Sequence, residues 1–405
     1  MKRSVQASTG RATAPLEVLP ALPVDLLFPL GEPVNRCKLN PVVKPGDDVP
    51  CGGSLAEGQH LVMHASVPGR VTSVNADRLM LRHADDDQPA SFAPCPLSHA
   101  DPLPAFARDM GWVGMGGSMF PTSIKLGAAK HIHTLIINAV ECEPGIQIDE
   151  ALMMHAPDTV RCGIDALRQA LSIKRIVLAF KQPSVAHGKP FAAACGAELL
   201  GMPDRYPGGA EKLLVARLEG RMPPAGQLPA AIGYLVFSVA SLWAMGRRLQ
   251  NGEPSILRPL SLVTRRQTRN LLVPVGTPVG HVLDSCKVAV DPGDLLIAGG
   301  LMMGRRVDRQ SPVLKGTNAL FVQPAGERLA KPEQPCIACG SCFDVCPLGL
   351  HPIGMADRIR SRAQSRALDA QLDECFLCGA CSAVCPSDIP LVQIFQQGKT
   401  WKRER

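Results

Sequence analysis

The chain has 405 residues, 46% of them hydrophobic and 20% charged, with a formal net charge of +7 and 15 cysteines. At roughly 100–200 residues per domain this suggests two to four domains, and the apolar fraction excludes global disorder. Aromatic residues make up 4%, too few for a nucleic-acid surface of stacked rings, so no nucleic-acid partner is expected.

Residues 1–25 are broken by Pro15, Pro20 and Pro23 and carry no continuous apolar core, so they read as a flexible lead-in rather than a secretory signal. Residues 26–92 read as a small β domain. Val43-Lys-Pro-Gly46-Asp47-Asp-Val49 and Val67-Pro68-Gly69-Arg-Val71 place turn formers between short β-prone runs. This pairing resembles the barrel-sandwich fold of biotinyl and lipoyl domains, but the modifiable lysine is missing between Leu55 and Ala65, so no swinging arm is expected.

Residues 100–255 alternate strand and helix signals, which predicts βαβ units and a mainly parallel sheet. Strands are expected at His133–Asn138 and Lys174–Phe180. Helices are expected at Asp158–Leu171, with Asp158 as N-cap, and at Gly209–Leu218. The uncharged stretch Ala230–Gly246 reads as a buried helix that ends before Arg247-Arg248, being too short for a membrane span. Residues 256–325 read as β-rich, with strand signals at Ser261–Thr264, Leu271–Val275, Gly280–Leu283 and Leu295–Gly300. A polar linker, Gly326–Pro335, leads to a cysteine module at 336–392. A helix over Met355–Leu372 is expected to join the module's halves, with Arg358, Arg360, Arg362 and Arg366 forming either a solvated face or a dock for an acidic redox partner. Residues 393–405 read as a basic tail, either a frayed, solvated terminus or a membrane-surface contact.

An odd number of cysteines, eight of them tightly clustered, points to metal binding in a reducing compartment rather than to a disulfide framework. Cys336-Ile-Ala-Cys339-Gly-Ser-Cys342-Phe-Asp-Val-Cys346-Pro347 recurs as Cys375-Phe-Leu-Cys378-Gly-Ala-Cys381-Ser-Ala-Val-Cys385-Pro386. Both runs match the C-x2-C-x2-C-x3-C-P spacing of two-cluster ferredoxins, in which the fourth cysteine of each run serves the other cluster. One [4Fe–4S] cluster is therefore expected on Cys336, Cys339, Cys342 and Cys385. The other is expected on Cys375, Cys378, Cys381 and Cys346. The alternative, two zinc sites in a zinc-stabilised interaction protein, calls for close cysteine pairs separated by a longer spacer.

Two further motifs lie in the α/β region. Gly111-Trp-Val-Gly114-Met-Gly116-Gly117-Ser118-Met119-Phe120-Pro121 is a glycine-rich loop before a helix, able to offer backbone N–H groups to a phosphate. Asn138-Ala-Val-Glu141-Cys142-Glu143-Pro144 follows a strand, where open parallel sheets bind ligands. A plain capped loop is the alternative there. Cys37, Cys51, Cys95, Cys162, Cys195 and Cys286 read as small buried hydrophobes, and Cys142 as a wall residue rather than a nucleophile.

Taken in order, the Gly111–Leu126 loop, Leu135-Ile-Ile-Asn138-Ala-Val-Glu141-Cys142-Glu143-Pro144, Asp149-Glu150-Ala-Leu152, Tyr206-Pro207-Gly208-Gly209-Ala210, Ala298-Gly299-Gly300 and both cysteine runs resemble the RnfC (RsxC) family. These are subunits of the Rnf ion-translocating oxidoreductase. The resemblance spans residues 26–398 and implies an α/β domain similar to the NADH- and FMN-binding flavoprotein subunit of respiratory complex I. It also implies a β-grasp-like module over 256–325 and a two-cluster ferredoxin-like domain at the end. By that analogy Gly114, Gly116, Gly117 and Lys125 surround nucleotide and flavin phosphates, Phe120 stacks on a ring, and Asn138, Glu141 and Glu143 face the flavin and nicotinamide. Implied with these are FMN, NAD(H) as substrate, and membrane, flavin and iron–sulfur partner subunits, with ferredoxin or flavodoxin served indirectly. The implied place is peripheral, on the cytoplasmic side of a bacterial inner membrane.

The chain departs from the family pattern at Met119, where the usual Gly-Gly-Ala-Gly-Phe-Pro-Thr has glycine, and at Ser238-Val239, where the family has Asn-Val. One residue is missing beside Tyr206, and an N-terminal Gly-Gly-x-His-Pro-Pro run is absent. Two functions therefore stand beside each other: an NAD(H)-linked oxidoreductase subunit, and an electron relay and assembly subunit with a degenerate flavin/NADH site.

Overall fold

The computed structural model describes residues 12–35, 37–84, 91–95, 102–182, 185–224, 227–326, 332–363 and 365–404. The first eleven residues of the expected lead-in, residues 327–331 of the expected Gly326–Pro335 linker and Arg405 lie outside the described residues.

In the N-terminal part, strands Asp25–Pro29, Arg78–His83, Gly69–Val74 and Asp48–Val49 pair antiparallel in that order. A second sheet holds Asn40–Pro41, Ser54–Glu57 and Val62–His64. Period-two patterning puts Leu26, Phe28, Leu79 and Leu81 on one buried face, where they meet Leu55 and Met63 from the second sheet and Leu61 just before its last strand. The expected turn at Gly46 carries φ +96°, and the Asp47 carboxylate accepts from Lys44 N at 2.9 Å.

The α/β part is a four-stranded parallel sheet in the order Glu198–Met202, Arg175–Lys181, Thr134–Ala139, Tyr234–Ser238. Leu135, Ile136 and Ile137 are fully buried, as a strand covered on both faces requires. Two expectations need correction. The segment Ala230–Gly246 is not one helix. Gly233 turns at φ +84°, Tyr234-Leu-Val-Phe237 continue as a strand, and the helix Val239–Asn251 starts only at its Ser238 N-cap. The β-prone aromatic and branched run finds a strand partner in Thr134–Ala139, and that pairing overrides the helical reading. The helix also runs through Arg247-Arg248 to Gly252, because charges in the last turn favour its C-terminus and Arg247 pairs with Glu253. In the helix Pro157–Ala170, Asp158 is not the N-cap. Ala156 holds that position, Pro157 is the first helical residue, and Asp158 pairs instead with Arg161. These two helices cross at glycines: a Cβ on Gly246 would overlap the Thr159 carbonyl, and one on Gly163 the Leu242 carbonyl.

A six-stranded mixed sheet follows, in the order Leu16–Val18, Thr268–Pro274, Leu257–Val263, Ala319–Gln323, Leu295–Ala298, Arg305–Val307. Leu16–Val18 pairs parallel with Asn270–Leu272, and Glu17 pairs with Arg269 at 2.6 Å, so this part of the lead-in is held in a sheet rather than free. Gly280–Leu283 is not a strand but lies within the helix Val279–Ser285, whose start is set by Pro278 and whose Val279, Val282 and Leu283 face the core. Four apolar-leaning residues are too few to separate a strand from one helical turn.

The cysteine module is helical: Ser341–Val345, Pro352–Arg360, Arg366–Glu374, Ala380–Ala383 and Leu391–Arg403. The expected single helix over Met355–Leu372 is two. Arg362 turns at φ +55° and Ser365 caps the second helix by accepting from Leu368 N at 3.2 Å. The expected frayed tail is the helix Leu391–Arg403. Ile394 and Phe395 are buried in the module's core, and Trp401 stacks on Arg362 at 5.3 Å. Arg360 pairs with Glu333. Among the described residues no helix is long and apolar enough to cross a membrane.

Candidate functional site

The two cysteine runs fold as copies of one loop. Ala338 and Leu377, each between the first two cysteines of its run, have φ of +53° and +60°. Gly340 and Gly379, after the second cysteine, have +73° and +77° and open the short helices Ser341–Val345 and Ala380–Ala383. Such left-handed turns direct successive backbone N–H groups to one side, where cluster sulfur needs donors. Ala338 N already points to Cys336 Sγ at 3.4 Å.

Cys375, Cys378, Cys381 and Cys346 line one cavity of about 30 Å³, closed by apolar Leu350, Met355 and Phe395. The fourth member comes from the other run, as crossed ligation requires. Cys385 in turn lies beside Cys342, close enough to raise its thiol after burial has done so. Cys336 and Cys339 of that set are exposed, and the neighbouring Ile337 is 67% exposed. The sets thus differ: one inner and enclosed, one outer. A tetrahedral zinc ion would draw four sulfurs to about 2.3 Å from one point. Among the described residues no three His, Cys, Asp or Glu side chains converge as a single-ion site. A cubane holds its thiolates around a larger core, so a cavity ringed by cysteines fits it.

A second cavity, about 90 Å³, opens at the C-terminal end of the Thr134–Ala139 strand. It is lined by Gly116, Asn138, Glu141, Cys142, Glu143, Asp149, Gly209, Ser238 and Asn318, among others. Glu141 is buried and accepts from Asp149 N at 2.7 Å and Glu150 N at 3.3 Å at the start of the helix Ile148–His155. Asp149 accepts from Ala240 N at 2.9 Å, and burial raises its carboxyl to about 6. Burial, and then the Asp149 charge, push Glu141 well above the usual carboxylate range. Ser238 caps the helix Val239–Asn251, and its Oγ lies 3.0 Å from Ser241 Oγ, which accepts from Met115 N at 2.9 Å. The glycine loop and the helix start are thereby tied together. The fully buried Arg258 donates to the Met115 and Thr317 carbonyls, joining the loop to the six-stranded sheet.

The walls suit a flavin. A Cβ on Gly116 would meet only Ser238 Cβ, at 3.8 Å, Gly209 leaves no room for a Cβ against Val140 O, and Asn318 Oδ1 has no hydrogen-bond partner among the described residues. Among the described residues no Lys or Arg lines the cavity, so backbone N–H groups and the side chains of Asn318 and Ser238 are the donors left for a phosphate. Cys142 is a wall residue, its thiol pushed up to about 12 by burial.

The cavity and the inner cysteine set are neighbours. Tyr206 donates its hydroxyl to Cys378 O, Cys142 and Met302 pack on the module's core, and a Cβ on Gly379 would lie 3.3 Å from Met302 O.

Residues 107–247 match the Nuo51 FMN-binding domain, and residues 335–389 match the 4Fe-4S dicluster domain. The RnfC protein of the ion-translocating oxidoreductase complex of Rhodobacter capsulatus is 33% identical over 96% of this chain and 80% of its own length. The chain belongs to the RnfC family of ion-translocating oxidoreductase complexes. Members from Edwardsiella ictaluri, 35% identical, and Pseudomonas aeruginosa, 34% identical, match 95% and 98% of this chain and 51% and 55% of their own lengths. The chain shares its fold, with a TM-score of 0.50 and 17% identity over 75% of its length and 61% of the other's, with a chain of an NAD+-reducing [NiFe]-hydrogenase in the H2-reduced state.

Within this RnfC fold, Gly116, Asn138, Glu141 and Glu143 meet at the cavity, while other expected site residues lie elsewhere. Lys125, expected near a phosphate, is buried, with Nζ 2.5 Å from Glu211 and 2.8 Å from Val236 O. Neither Gly114 nor Phe120 is among the lining residues, and Gly117 lines a neighbouring cleft of about 180 Å³ with Ser118, Met119 and Arg305. Asn138 spends its side chain locally, donating to Gly209 O at 2.9 Å and accepting from Val140 N at 3.1 Å. Met119 sits at φ +50° with its side chain buried against Gly316, so its bulk enters the neighbouring cleft and not the cavity beside Asn138. Sequence reasoning missed Asp149 and Asn318 as lining residues. Asp149 had a usable signal, an acid in a helix's first turn, but Asn318 comes from another sheet and had none.

Proposed function

We propose that this chain is the peripheral electron-transfer subunit of an Rnf-type membrane complex. Electrons would pass between NAD(H), FMN at the Asn138–Glu143 cavity, the inner cluster and the outer cluster, and partner subunits would couple that flow to ion translocation. The observation that carries this reading is that Cys142, a wall of the flavin cavity, packs on the core of the cysteine module, with Tyr206 and Met302 in contact beside it. Cys375, Cys378, Cys381 and Cys346 would hold the inner cluster, and Cys336, Cys339, Cys342 and Cys385 the outer one. When bound, FMN supplies the exchange between two-electron and one-electron chemistry. The chain's own part is to hold that group against backbone at Gly116 and Gly209 and to keep it close to the inner set. The exposed Cys336–Cys339 edge suits exchange with a redox partner, with ferredoxin or flavodoxin served indirectly, and the reduced thiols suit the cytoplasmic face of the cell membrane.

For the finer architecture, the facing four- and three-stranded sheets support a barrel-sandwich-like domain over 26–92. An α/β domain over 100–255, a β-grasp-like module over 256–325 and a ferredoxin-like module over 336–392 complete the proposed division. A second reading, a relay subunit with a degenerate flavin/NADH site, is favoured by a cavity lined by Glu141, Glu143 and Asp149 and, among the described residues, by no Lys or Arg.

Anaerobic purification followed by iron, sulfide and flavin assays separates these. Roughly eight iron per chain with stoichiometric FMN and bleaching by NADH supports the full reading. The same iron with no retained FMN, and no NADH reduction after FMN is added, supports the relay. A colourless protein containing zinc overturns both.

A further inference from the structure

Glu143 lies where cavity and cluster module meet, yet its carboxylate is turned to a backbone turn. Oε2 accepts from Met302 N at 2.9 Å and Oε1 from Met303 N at 3.0 Å. The turn is built to receive it. Gly299 has φ +94°, Gly304 N closes on Gly300 O at 2.6 Å, and a Cβ on Gly300 would overlap the Glu143 carboxyl. The turn's other side touches the inner cysteine loop: around the Cβ position of Gly379, Met302 O is 3.3 Å away and Met303 Sδ 3.5 Å. Gly379 stands between Cys378 and Cys381. One side chain therefore lines the flavin cavity and grips the turn that packs on the inner cluster's loop.

We propose that Glu143 is a positioning residue, a latch that holds the 299–304 turn against the Cys378–Cys381 loop and so sets the distance and surroundings between the flavin cavity and the inner cluster. The inference rests on the reading of that cavity and cysteine set given above. Two amides converging on one carboxylate form a bidentate, charge-assisted contact, which fixes orientation as well as position. Packing on Gly379 then passes any loosening of the turn directly to the backbone whose amides face cluster sulfur.

Hydrogen exchange of the full chain tests the latch without depending on activity. Glu143→Gln keeps one acceptor and turns an NH2 toward the other amide. Gly300→Ala displaces the carboxylate while leaving Glu143 intact. Each is expected to speed exchange at Met302 and Met303 about tenfold and to raise exchange at 378–380, with the Thr134–Ala139 strand unchanged. In redox titrations followed by EPR, the midpoint of one cluster signal should move while the other stays in place. Unaltered exchange in both variants overturns the latch, and so do faster exchange with both midpoints unmoved and equal movement of both. Wild-type protein without iron would sink the reading of the cysteine runs, and amide exchange alone would then decide whether the latch exists.

Discussion

Glu143→Gln also makes a quantitative test of the cavity's electrostatics. Burial raises the Glu143 carboxyl from 4.5 to about 7, against the opposing pull of the Met302 and Met303 amides. The folded state therefore holds its proton more tightly than the unfolded chain. Stability from this group is full below about pH 4.5, declines as pH rises from 4.5 to 7, and is flat above. At about 1.36 kcal/mol per pH unit the loss reaches roughly 3 kcal/mol, and screening at the partly exposed edge reduces it to about 2 kcal/mol. Glutamine carries no charge, so its profile lacks this loss. The buried acids Glu141 and Asp149 titrate in both proteins and cancel in the difference. Thermal unfolding from pH 5 to pH 8 should thus show the variant gaining about 2–3 °C relative to wild type as pH rises. Parallel profiles over that range would refute the claim that Glu143 is buried as a strained carboxylate.

Cys346→Ser should halve the iron content, from roughly eight to about four per chain, and abolish the inner cluster's EPR signal although the substitution lies in the first cysteine run; loss of the outer signal instead would reverse the crossed ligation. Gly246→Ala gains about 1 kcal/mol of helix propensity but forces a Cβ into the Thr159 carbonyl, so a net loss of about 1–2 kcal/mol is expected in thermal unfolding, together with weaker flavin retention because the helix's N-cap, Ser238, lines the cavity. Arg258→Met strands the Met115 and Thr317 carbonyls and removes the nearby cation from Asp149, with an expected cost of about 3–5 kcal/mol and a further rise of the Asp149 pKa by carboxyl NMR.

The chemistry-bearing residues were legible where chain proximity itself makes the site. Three cysteines on one tight loop and glycines at the turns are local demands, and both copies of the loop have the same handed turns at Ala338, Gly340, Leu377 and Gly379. The strand Thr134–Ala139 was legible because burial on both faces demands an unbroken apolar run. Legibility failed where partners decide. Tyr234-Leu-Val-Phe237 is a strand because Thr134–Ala139 lies beside it, and residues 393–405 are largely helical because Ile394 and Phe395 have a core to enter.

The sequence by itself determined the metal chemistry and the buried strands Thr134–Ala139 and Arg175–Lys181, since thiol spacing and hydropathy period are properties of neighbours along the chain. Only the tertiary structure decided which cysteine set is inner, that Lys125 serves Glu211 rather than a cavity, and that Asn318 and, through Glu143, the 299–304 turn reach the cavity beside Asn138. Those are contacts between residues far apart in the chain, set by how sheets and helices bury their apolar faces together, and no local pattern encodes them.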